Sequence, residues 1–412
     1  MLVMPGAGSV YLQEMRAMKQ IKKVNKEGMR QNNIRLMFET ICRNEGITRA
    51  QLVAETKMSE MTVGRSVDFL LKSDLVLDRL NDSNNDVGRP ASRLYLSRNF
   101  VNIGVSLESG GVSIGLVDSY GGVLQCHRHR FQTEGMAPEE VLGIAAEQIE
   151  EFVREHAPEG AQAIGMAIPG LIDYRNGYVR LSSQLNWADV PAAEILRKNP
   201  FIPDVIIEND VKARALGENR FGSRKESKSS VLLNIGNGVG AGVVVEGEIY
   251  RGKKNYAGEI GHTMLSANNR ICRCGRKGCI EATISQPAVL REARIVDPDI
   301  DIAGIEAAYR KGEVWTATLL NIVAEYILTV VNILANTYAP DVIVLCGSLV
   351  EQCEALRDII MEQYRKQYPS IFNDLFSLEF SEFGTNGDLI GAAAIAFDHN
   401  IMQHIANPMF LK

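Results

Sequence analysis

The first hundred residues carry apolar side chains at helical spacing. Between residues 28 and 45 the apolar positions fall on one helical stripe: Ile34, Met37, Phe38, Ile41 and Cys42. Thr48 begins a second helix in a capping box with Gln51, and this helix ends near Lys57. Ser59 is the predicted N-cap of a third helix. The expected buried side of that helix consists of Val63, Val67, Leu70 and Leu71.

Two short strands follow the three helices. Residues 75–77 and 93–96 have strand patterns on either side of the polar turn 81–87. Three helices followed by a hairpin predict a winged helix-turn-helix over residues 21–98, after an N-terminal tail at 1–20. A three-helix module that binds protein is the open alternative.

Short polar side chains near the start of the third helix suit a DNA major groove. The candidate contacts on this helix are Ser59, Glu60, Thr62, Arg65 and Ser66, of which all but the capping Ser59 are expected to be exposed early positions. The hairpin adds Gly88, Arg89 and Pro90. An arginine held extended by a following proline can enter a narrow minor groove, where the negative potential is strongest.

From Phe100 onward, strands alternate with helices. Strands are predicted at 103–107, 113–117, 123–130, 163–167, 205–207, 231–235, 241–245 and 342–345, with helices at 138–156, 211–221 and 315–338. Hairpins followed by helix–strand units occur twice. This order predicts two α/β lobes with mixed sheets.

Composition limits the class of protein. The 412 residues are 46% hydrophobic and 23% charged, which is ordinary for a globular chain. No uninterrupted apolar run approaches the roughly 20 residues of a membrane span. The N-terminus lacks the secretory order of basic then apolar residues. We therefore expect a cytoplasmic protein without membrane association.

Charge is divided unevenly along the chain. Residues 1–99 hold 16 Lys and Arg against 11 Asp and Glu, whereas the remainder holds 28 against 39. A basic head on an acidic body indicates nucleic acid at one end. By charge alone, chance variation explains the asymmetry equally well.

Three cysteines form the strongest local signal. Cys272, Cys274 and Cys279 lie within eight residues, and disulfides are uncommon in a cytosolic chain of this size. Zinc prefers four tetrahedral nitrogen or sulfur ligands, and His262 is the best fourth ligand. With no open coordination position, one structural zinc per chain is predicted. The alternative is a cluster of reduced thiols.

Two further features are ambiguous by themselves. Asp210 follows a strand end and precedes a helix, so it is either a group that handles a hydroxyl proton or an N-cap. The glycine-rich segment 236–242 lies between two strands. It has the spacing of a phosphate loop, but a tight turn that merely needs glycine is the favoured interpretation.

Taken together, these motifs resemble the ROK family of bacterial repressors and sugar kinases. The resemblance runs from about residue 22 to the C-terminus and is carried by 208–210, 257–262 and 272–281. It implies an actin-like (ribonuclease H-like) sugar kinase/Hsp70 ATPase fold behind the winged helix. It also implies a sugar site made by Asn209, Asp210, Glu259, His262 and Glu281, with Gln184 as a possible addition. The zinc would fix His262 and Glu281 in space.

The chain departs from the family's kinases at one motif. Those kinases begin the body with an Asp–x–Gly–Gly–Thr–Lys turn that holds ATP phosphates and metal. Here the stretch is 106–111, in which Ser106 replaces the aspartate and Glu108 replaces the first glycine. Gly110 and Gly111 replace the threonine and lysine. Retention of a sugar carboxylate without the phosphate turn indicates sensing without phosphorylation.

The resulting hypothesis is a sugar-responsive transcriptional regulator, with repression as the expected mode. A homodimer or homotetramer would bind palindromic double-stranded operator DNA, and a sugar or sugar phosphate would bind between the lobes. Residues 99–211 with 385–412 are assigned to lobe I, and 212–384 to lobe II. Two alternatives are a ROK-type sugar kinase with Asp210 as general base, and a regulator controlled by a protein partner.

Overall fold

The computed structural model describes residues 26–80, 92–157, 163–202, 204–223, 225–265, 269–368 and 375–406. Contacts divide the chain into two compact units, one formed by residues up to Ser97 with those from Ile401 onward, and one by Arg98–Asn400. The predicted wing residues Gly88, Arg89 and Pro90 lie outside the described residues, as does the tail at 1–20. The predicted lobe boundaries, with the end of the chain in lobe I, stay a prediction.

The first unit contains three helices and a small antiparallel sheet. Its elements are α1 (Lys26–Arg43), β1 (Ile47–Thr48), α2 (Arg49–Thr56), α3 (Glu60–Lys72), β2 (Val76–Leu80) and β3 (Ser92–Leu96). The sheet order is β1-β3-β2. Both predicted caps are present: Thr48 forms its capping box with Gln51, and Ser59 Oγ accepts the N–H of Thr62 at 3.2 Å. Strand β1 was not predicted, because two residues are too few to show a pattern.

The core of this unit follows the predicted stripes at most positions, but Cys42 and Leu71 are only half-buried and Ser66 is buried. Ile34, Met37 and Ile41 of α1 are fully buried, as are Val63, Val67 and Leu70 of α3. Ser66 was expected to be exposed, and this was wrong, since its exposed fraction is 4%. Ser66 lies three residues after Val63 and four before Leu70, so it falls on the buried stripe of α3.

The first large sheet of the second unit has the order β11-β7-β4-β5-β6. Its strands are β4 (Asn102–Glu108), β5 (Gly111–Val117), β6 (Val123–Arg130), β7 (Ala163–Ile168) and β11 (Asp204–Asn209). The helices of this part are α4 (Pro138–His156), α5 (Ala192–Leu196) and α6 (Asp210–Phe221). Strands β4, β7 and β11 are parallel, and β4, β5 and β6 form an antiparallel meander. Among the described strands, β6 pairs only with β5, and most of its side chains are exposed.

The second large sheet repeats this topology in the order β14-β13-β12-β15-β16. Its strands are β12 (Ser229–Ile235), β13 (Val239–Val245), β14 (Glu248–Ile249), β15 (Val342–Cys346) and β16 (Ser377–Phe380). The helices that follow are α7 (Glu281–Ile284), α8 (Gln286–Ala293), α9 (Ile302–Arg310), α10 (Val314–Tyr338), α11 (Ser348–Gln352), α12 (Glu354–Gln367) and α13 (Gly387–Ala406). The predicted pair of mixed α/β sheets is therefore present. Each consists of a three-stranded meander extended by two parallel strands.

Helix α13 approaches the first sheet very closely. A Cβ at Gly104 of β4 would lie 2.2 Å from the backbone oxygen of Leu389. A Cβ at Gly165 of β7 would lie 1.8 Å from that of Ala392. Glycine is thus required at both strand positions because helix backbone occupies the space of a side chain.

A small third sheet, β10-β9-β8, was not predicted. Its strands are β8 (Leu171–Asp173), β9 (Tyr178–Ser182) and β10 (Trp187–Val190). They are three to five residues long and rich in polar side chains, so their periodicity is weak. This sheet carries residues 182–184 to the site described below.

One described helix, α10, is long and apolar enough to cross a membrane by length and composition. Thr329 and Asn332 interrupt its sequence, so it contains no unbroken apolar run of that length. Nine of its residues are buried, and it packs against α12 within the larger hydrophobic core. Core packing accounts for its apolar composition.

Candidate functional site

A cleft of about 120 Å³ contains all the sugar contacts predicted from the sequence. Asn209, Asp210, Glu259, His262 and Glu281 line it, together with Gln184. They come from the end of β11, the start of α6, the loop after β14 and the start of α7. Residues more than 70 positions apart are thus brought to one cleft.

The turn between β11 and α6 fixes the first two of these residues. Asn209 is the N-cap of α6, since its Oδ1 accepts the N–H of Lys212 at 3.0 Å. Its Nδ2 donates to the oxygen of Gly170 at 3.0 Å and to Asp210 Oδ1 at 2.8 Å. The cap is therefore Asn209, and Asp210 is the first helical residue. This leaves the Asp210 carboxylate at the mouth of the helix, facing the cleft.

A buried polar network supports this turn from behind. Glu208 is 1% exposed, and its two carboxylate oxygens accept from Asn255 Nδ2 at 2.7 Å and Arg251 Nε at 2.8 Å. Lys212 is 2% exposed and its Nζ donates to the oxygen of Asn255 at 3.0 Å. The roles of Glu208, Lys212 and their partners were not predicted from the sequence. A buried glutamate beside a cap residue is recognisable only once its distant partners are known.

Two glycines position Glu259 and His262 against β13. Gly258 has a φ of 90°, and a Cβ there would lie 1.9 Å from the oxygen of Ala241. A Cβ at Gly261 would lie 2.2 Å from the oxygen of Val239. The Ala241 N–H donates to Gly258 oxygen at 2.8 Å, so this loop lies directly on the strand. The Gly-Glu-Ile-Gly-His segment thus presents Glu259 and His262 to the cleft.

The glycine-rich segment 236–242 comprises the hairpin turn at 236–238 and the first residues of β13. The N–H of Gly236 donates to the oxygen of Gly238, and the N–H of Val239 donates to Glu281 Oε2 at 3.2 Å. At Gly242 a Cβ would lie 2.4 Å from the Cβ of Ala215 in α6. A tight turn is thus present, but no positive φ requires glycine at Gly236 or Gly238, and the position at which close packing requires glycine is Gly242 in β13.

The predicted metal ligands converge on one point. The ligand atoms of His262, Cys272, Cys274 and Cys279 all lie within 4.8 Å of one another. The Cys274 and Cys279 sulfurs are 3.7 Å apart, and Cys272 Sγ is 3.8 Å from His262 Nδ1. Sulfurs bound tetrahedrally at 2.3 Å to one zinc would be about 3.8 Å apart. The donor set and its spacing therefore fit a structural zinc ion.

The metal cluster and the cleft share a wall. Glu281 Oε1 lies 3.6 Å from Cys272 Sγ, and its other oxygen, Oε2, accepts the N–H of Val239. His262 turns Nδ1 toward Cys272, which leaves the opposite ring nitrogen for the cleft. Burial raises the pKa of the Cys272 thiol to about 12, and a bound cation would offset this because it deprotonates a coordinating thiol.

The cleft is electrostatically negative around Asp210. Burial raises the pKa of Asp210 to about 6, and the carboxylates of Glu108 and Glu259 act in the same direction. Burial also raises the pKa of Asp388, at the start of α13, to about 7, with Asp210, Glu108 and Glu351 contributing. A carboxylate with these neighbours gains from accepting hydroxyl protons in hydrogen bonds.

Acidic side chains also lie at the turn after β4, which takes the place of the kinases' phosphate turn in the resemblance, and beside the turn after β15. Glu108 ends β4 where the phosphate turn would begin. After β15, Glu351 Oε1 accepts the N–H of Gly347 at 3.1 Å and pairs with Arg214. Arg214 is 5% exposed and is also bonded to Ser381 and the oxygen of Gly384. Neither turn presents a free cation to a phosphate.

Residues 103–399 match the ROK family, so the chain belongs to that family. The xylose repressor of Bacillus spizizenii is 28% identical over 383 residues, which cover 92% of this chain and 96% of the repressor. The glucokinase of Thermotoga maritima is 28% identical over 309 residues, covering 71% of this chain and 96% of the kinase. The kinase match therefore extends over less of the chain than the repressor match.

A solved structure of a ROK family regulator is similar to this chain over most of its length. The crystal structure of a ROK family transcriptional regulator, described as a homologue of the Escherichia coli MLC protein, has a TM-score of 0.73 and 25% identity. It covers 93% of this chain, and this chain covers 98% of it. The actin-like, sugar kinase-type fold with mixed sheets that the resemblance implied is confirmed.

Proposed function

We propose that this protein is a sugar-responsive, DNA-binding transcriptional regulator of carbohydrate metabolism genes that acts as a repressor. The observation that carries the proposal is a cleft lined by Asn209, Asp210, Glu259, His262 and Glu281 beside an acidic residue at the phosphate turn. Such a cleft suits the binding of hydroxyl groups, and the turn does not suit ATP. The repressor relative, matched over nearly its whole length, supports the same function.

The first unit is the proposed DNA-binding part, a winged helix-turn-helix with α3 as the reading helix. Ser59, Glu60 and Arg65 are exposed and Thr62 is half-buried on this helix, which suits base-edge contacts. Gly88, Arg89 and Pro90 remain proposed contacts from the hairpin. Ser66 is left out because it is buried. We propose that the regulator binds palindromic operators as a homodimer or homotetramer.

The second unit is the proposed sensor. A sugar held between the sheets would link Asn209 and Asp210 on one side to Glu259, His262 and Glu281 on the other, with Gln184 as a further contact. Binding that bridges two parts of a fold favours the closed arrangement. A change in closure would alter the spacing of the two DNA-binding units of a dimer and weaken operator binding.

Zinc is the proposed ion at His262, Cys272, Cys274 and Cys279, one per chain. Its role would be structural, because four protein ligands leave no open position for chemistry. The ion would hold the loop that carries His262 and the helix that begins at Glu281, and so keep two sugar contacts in place. A cytoplasmic location and the lobe boundaries 99–211 with 385–412 and 212–384 are part of the same proposal.

A sugar kinase is the second candidate, and one observation favours it. Asp210 lies in the sugar cleft with a pKa raised by burial to about 6, which suits a general base. The carboxylate of Glu108 at the phosphate turn is unfavourable for ATP binding. Coupled ADP release with a panel of hexoses distinguishes the two functions: turnover that disappears in Asp210→Asn would favour the kinase.

A gel-shift experiment tests the regulator directly. Duplexes enriched by the protein from a random pool are assayed at low salt, with and without each sugar of a panel. We expect a palindromic duplex to be bound and one sugar to release it. If no duplex is bound at low salt, the proposal is wrong. Binding of DNA without response to any sugar or phosphosugar would favour control by a protein partner.

A further inference from the structure

We infer that the cleft binds an uncharged, unphosphorylated sugar and discriminates against sugar phosphates. The inference rests on the proposed function, because it specifies the ligand of the sensor unit. The sequence alone left open whether the effector carries a phosphate. Two observations favour an unphosphorylated effector: the charges of the side chains that face the cleft, and the hydrogen bonds that the surrounding N–H groups already make within the protein.

The first argument comes from the side chains that line the cleft. Three of them are carboxylates, those of Asp210, Glu259 and Glu281, and two are potential cations, Lys212 and His262. Carboxylates accept hydrogen bonds from the hydroxyl groups of a neutral sugar. The same groups repel a phosphate, because like charges brought together without counter-charge are unfavourable.

Neither potential cation is presented to a ligand as a phosphate clamp. Lys212 is almost completely buried, and its Nζ donates to the backbone oxygen of Asn255 at 3.0 Å. Burial lowers the pKa of Lys212, although Glu208 and Glu259 act in the opposite direction. His262 directs Nδ1 toward Cys272 within the metal cluster. Among the described residues that line the cleft, a phosphate would therefore meet three carboxylates, no guanidinium group, and the single buried ammonium of Lys212.

The second argument comes from the glycine-rich turn, which could otherwise bind an anion through its backbone. The Val239 N–H already donates to Glu281 at 3.2 Å, and the Gly236 N–H donates to the oxygen of Gly238 at 3.0 Å. The Ala241 N–H donates to the oxygen of Gly258. Glu281 thus accepts the hydrogen bond of the Val239 N–H, a donor that a phosphate loop would offer to its ligand.

The third argument concerns the end of the cleft beyond Asp210. Glu108 lies close enough to raise the pKa of Asp210, and both act on Asp388 in the same way. The Arg214 guanidinium donates through Nη2 to Glu351 at 2.5 Å and to two further acceptors, and its Nη1 lies 3.8 Å from Asp388. A phosphate extending from a bound sugar toward this end would meet several carboxylates, and Arg214 is a buried cation already ion-paired with two of them.

The test compares matched pairs of sugars and their phosphates on the full-length, metal-loaded protein. Thermal shift is measured with xylose, ribose, glucose, mannose and N-acetylglucosamine, and with the 5- or 6-phosphate of each. The best pair is then titrated calorimetrically. We expect a neutral sugar to bind, and its phosphate to bind at least about tenfold more weakly. A phosphate that binds as tightly as its parent sugar, or binding by none of the neutral sugars, overturns the inference.

A variant pair locates the discrimination in the cleft. Glu108→Gln should reduce the preference for the neutral sugar by about tenfold or less, because it removes one charge from the end of the cleft. Glu147→Gln on the exposed face of α4 changes the net charge equally and should leave the preference unchanged. Equal effects of the two variants would overturn the assignment to Glu108 and its neighbours.

The operator assay separates this inference from the proposed function. Release of the selected duplex by a sugar phosphate, with no effect of the parent sugar, would overturn the inference and leave the regulator in place. A duplex that no sugar and no phosphate releases would overturn both.

Discussion

Replacement of Asp210 by asparagine should stabilise the ligand-free protein at neutral pH and remove its response to sugar. The Asp210 carboxylate is half-buried beside Glu108 and Glu259, and its pKa is raised from 3.8 to about 6. A raised pKa means that the folded protein favours the protonated acid. The stabilisation from that proton is present at low pH and is lost as the pH rises from about 4 to 6.

The size of the effect follows from the same change in pKa. A rise from 3.8 to about 6 corresponds to roughly 3 kcal/mol between the two protonation states. Asp210 is only partly buried, so solvent screening reduces this to roughly 1–2 kcal/mol at pH 7.5. Asparagine keeps an oxygen to accept from Asn209 Nδ2 and carries no charge. The expected rise in melting temperature is about 2–4 °C.

Melting temperatures measured at pH 7.5 and pH 4.5 test this reasoning. The gain of Asp210→Asn over wild type should be present at pH 7.5 and small at pH 4.5, where the wild-type acid is protonated. The control is Asp299→Asn, which changes an exposed loop residue by the same charge and should have little effect at either pH. The sugar-induced shift should disappear only in Asp210→Asn. A variant that is less stable than wild type at pH 7.5 would refute the argument.

Three further predictions concern the metal, the loop and the DNA-binding unit. Cys274→Ser should lose the single zinc, measured by elemental analysis, and with it the thermal shift on sugar addition. The control Cys126→Ser, on the exposed strand β6, should keep both the zinc and the shift. A full sugar response without metal would contradict the structural role of the zinc. Gly258→Ala should destabilise the protein by roughly 2–3 kcal/mol in urea unfolding, because its Cβ would meet a carbonyl oxygen of β13 at a positive φ. Gly143→Ala, in a helix with open space around it, should be neutral or stabilising, and equal effects would refute this. Arg65→Ala should weaken operator binding by about 1–3 kcal/mol in a gel shift, and unchanged affinity would exclude Arg65 from the interface.

The sequence predicted elements whose signals are local. The strand at 123–130 and the helix at 138–156 have the predicted bounds, and both caps in the first unit are present. Capping and periodicity depend on residues within a few positions of one another. The sheet formed by β8, β9 and β10 was missed because its strands are short and its stability comes from pairing and packing with distant residues.

In the candidate site too, residues with a local sequence signal were predicted and residues that depend on distant partners were not. Family motifs identified Asn209, Asp210 and Glu281, and the spacing of three cysteines identified the metal cluster. The support from Glu208 and Lys212 depends on partners about 45 residues away, so no local pattern marks it. Ser66 was misjudged because a serine in a helix is usually exposed, whereas here the spacing from Val63 and Leu70 decides its burial.

Strand β6 has a consequence for how the molecule behaves at high concentration. It ends the first sheet with exposed side chains and with a backbone edge that, among the described strands, pairs on one side only. Such an edge is a template on which a second sheet can grow. Charged side chains on an edge strand oppose such pairing, and Arg128 and Arg130 place positive charge on β6. We therefore expect neutral residues at 128 and 130 to make the protein more prone to aggregate at high concentration.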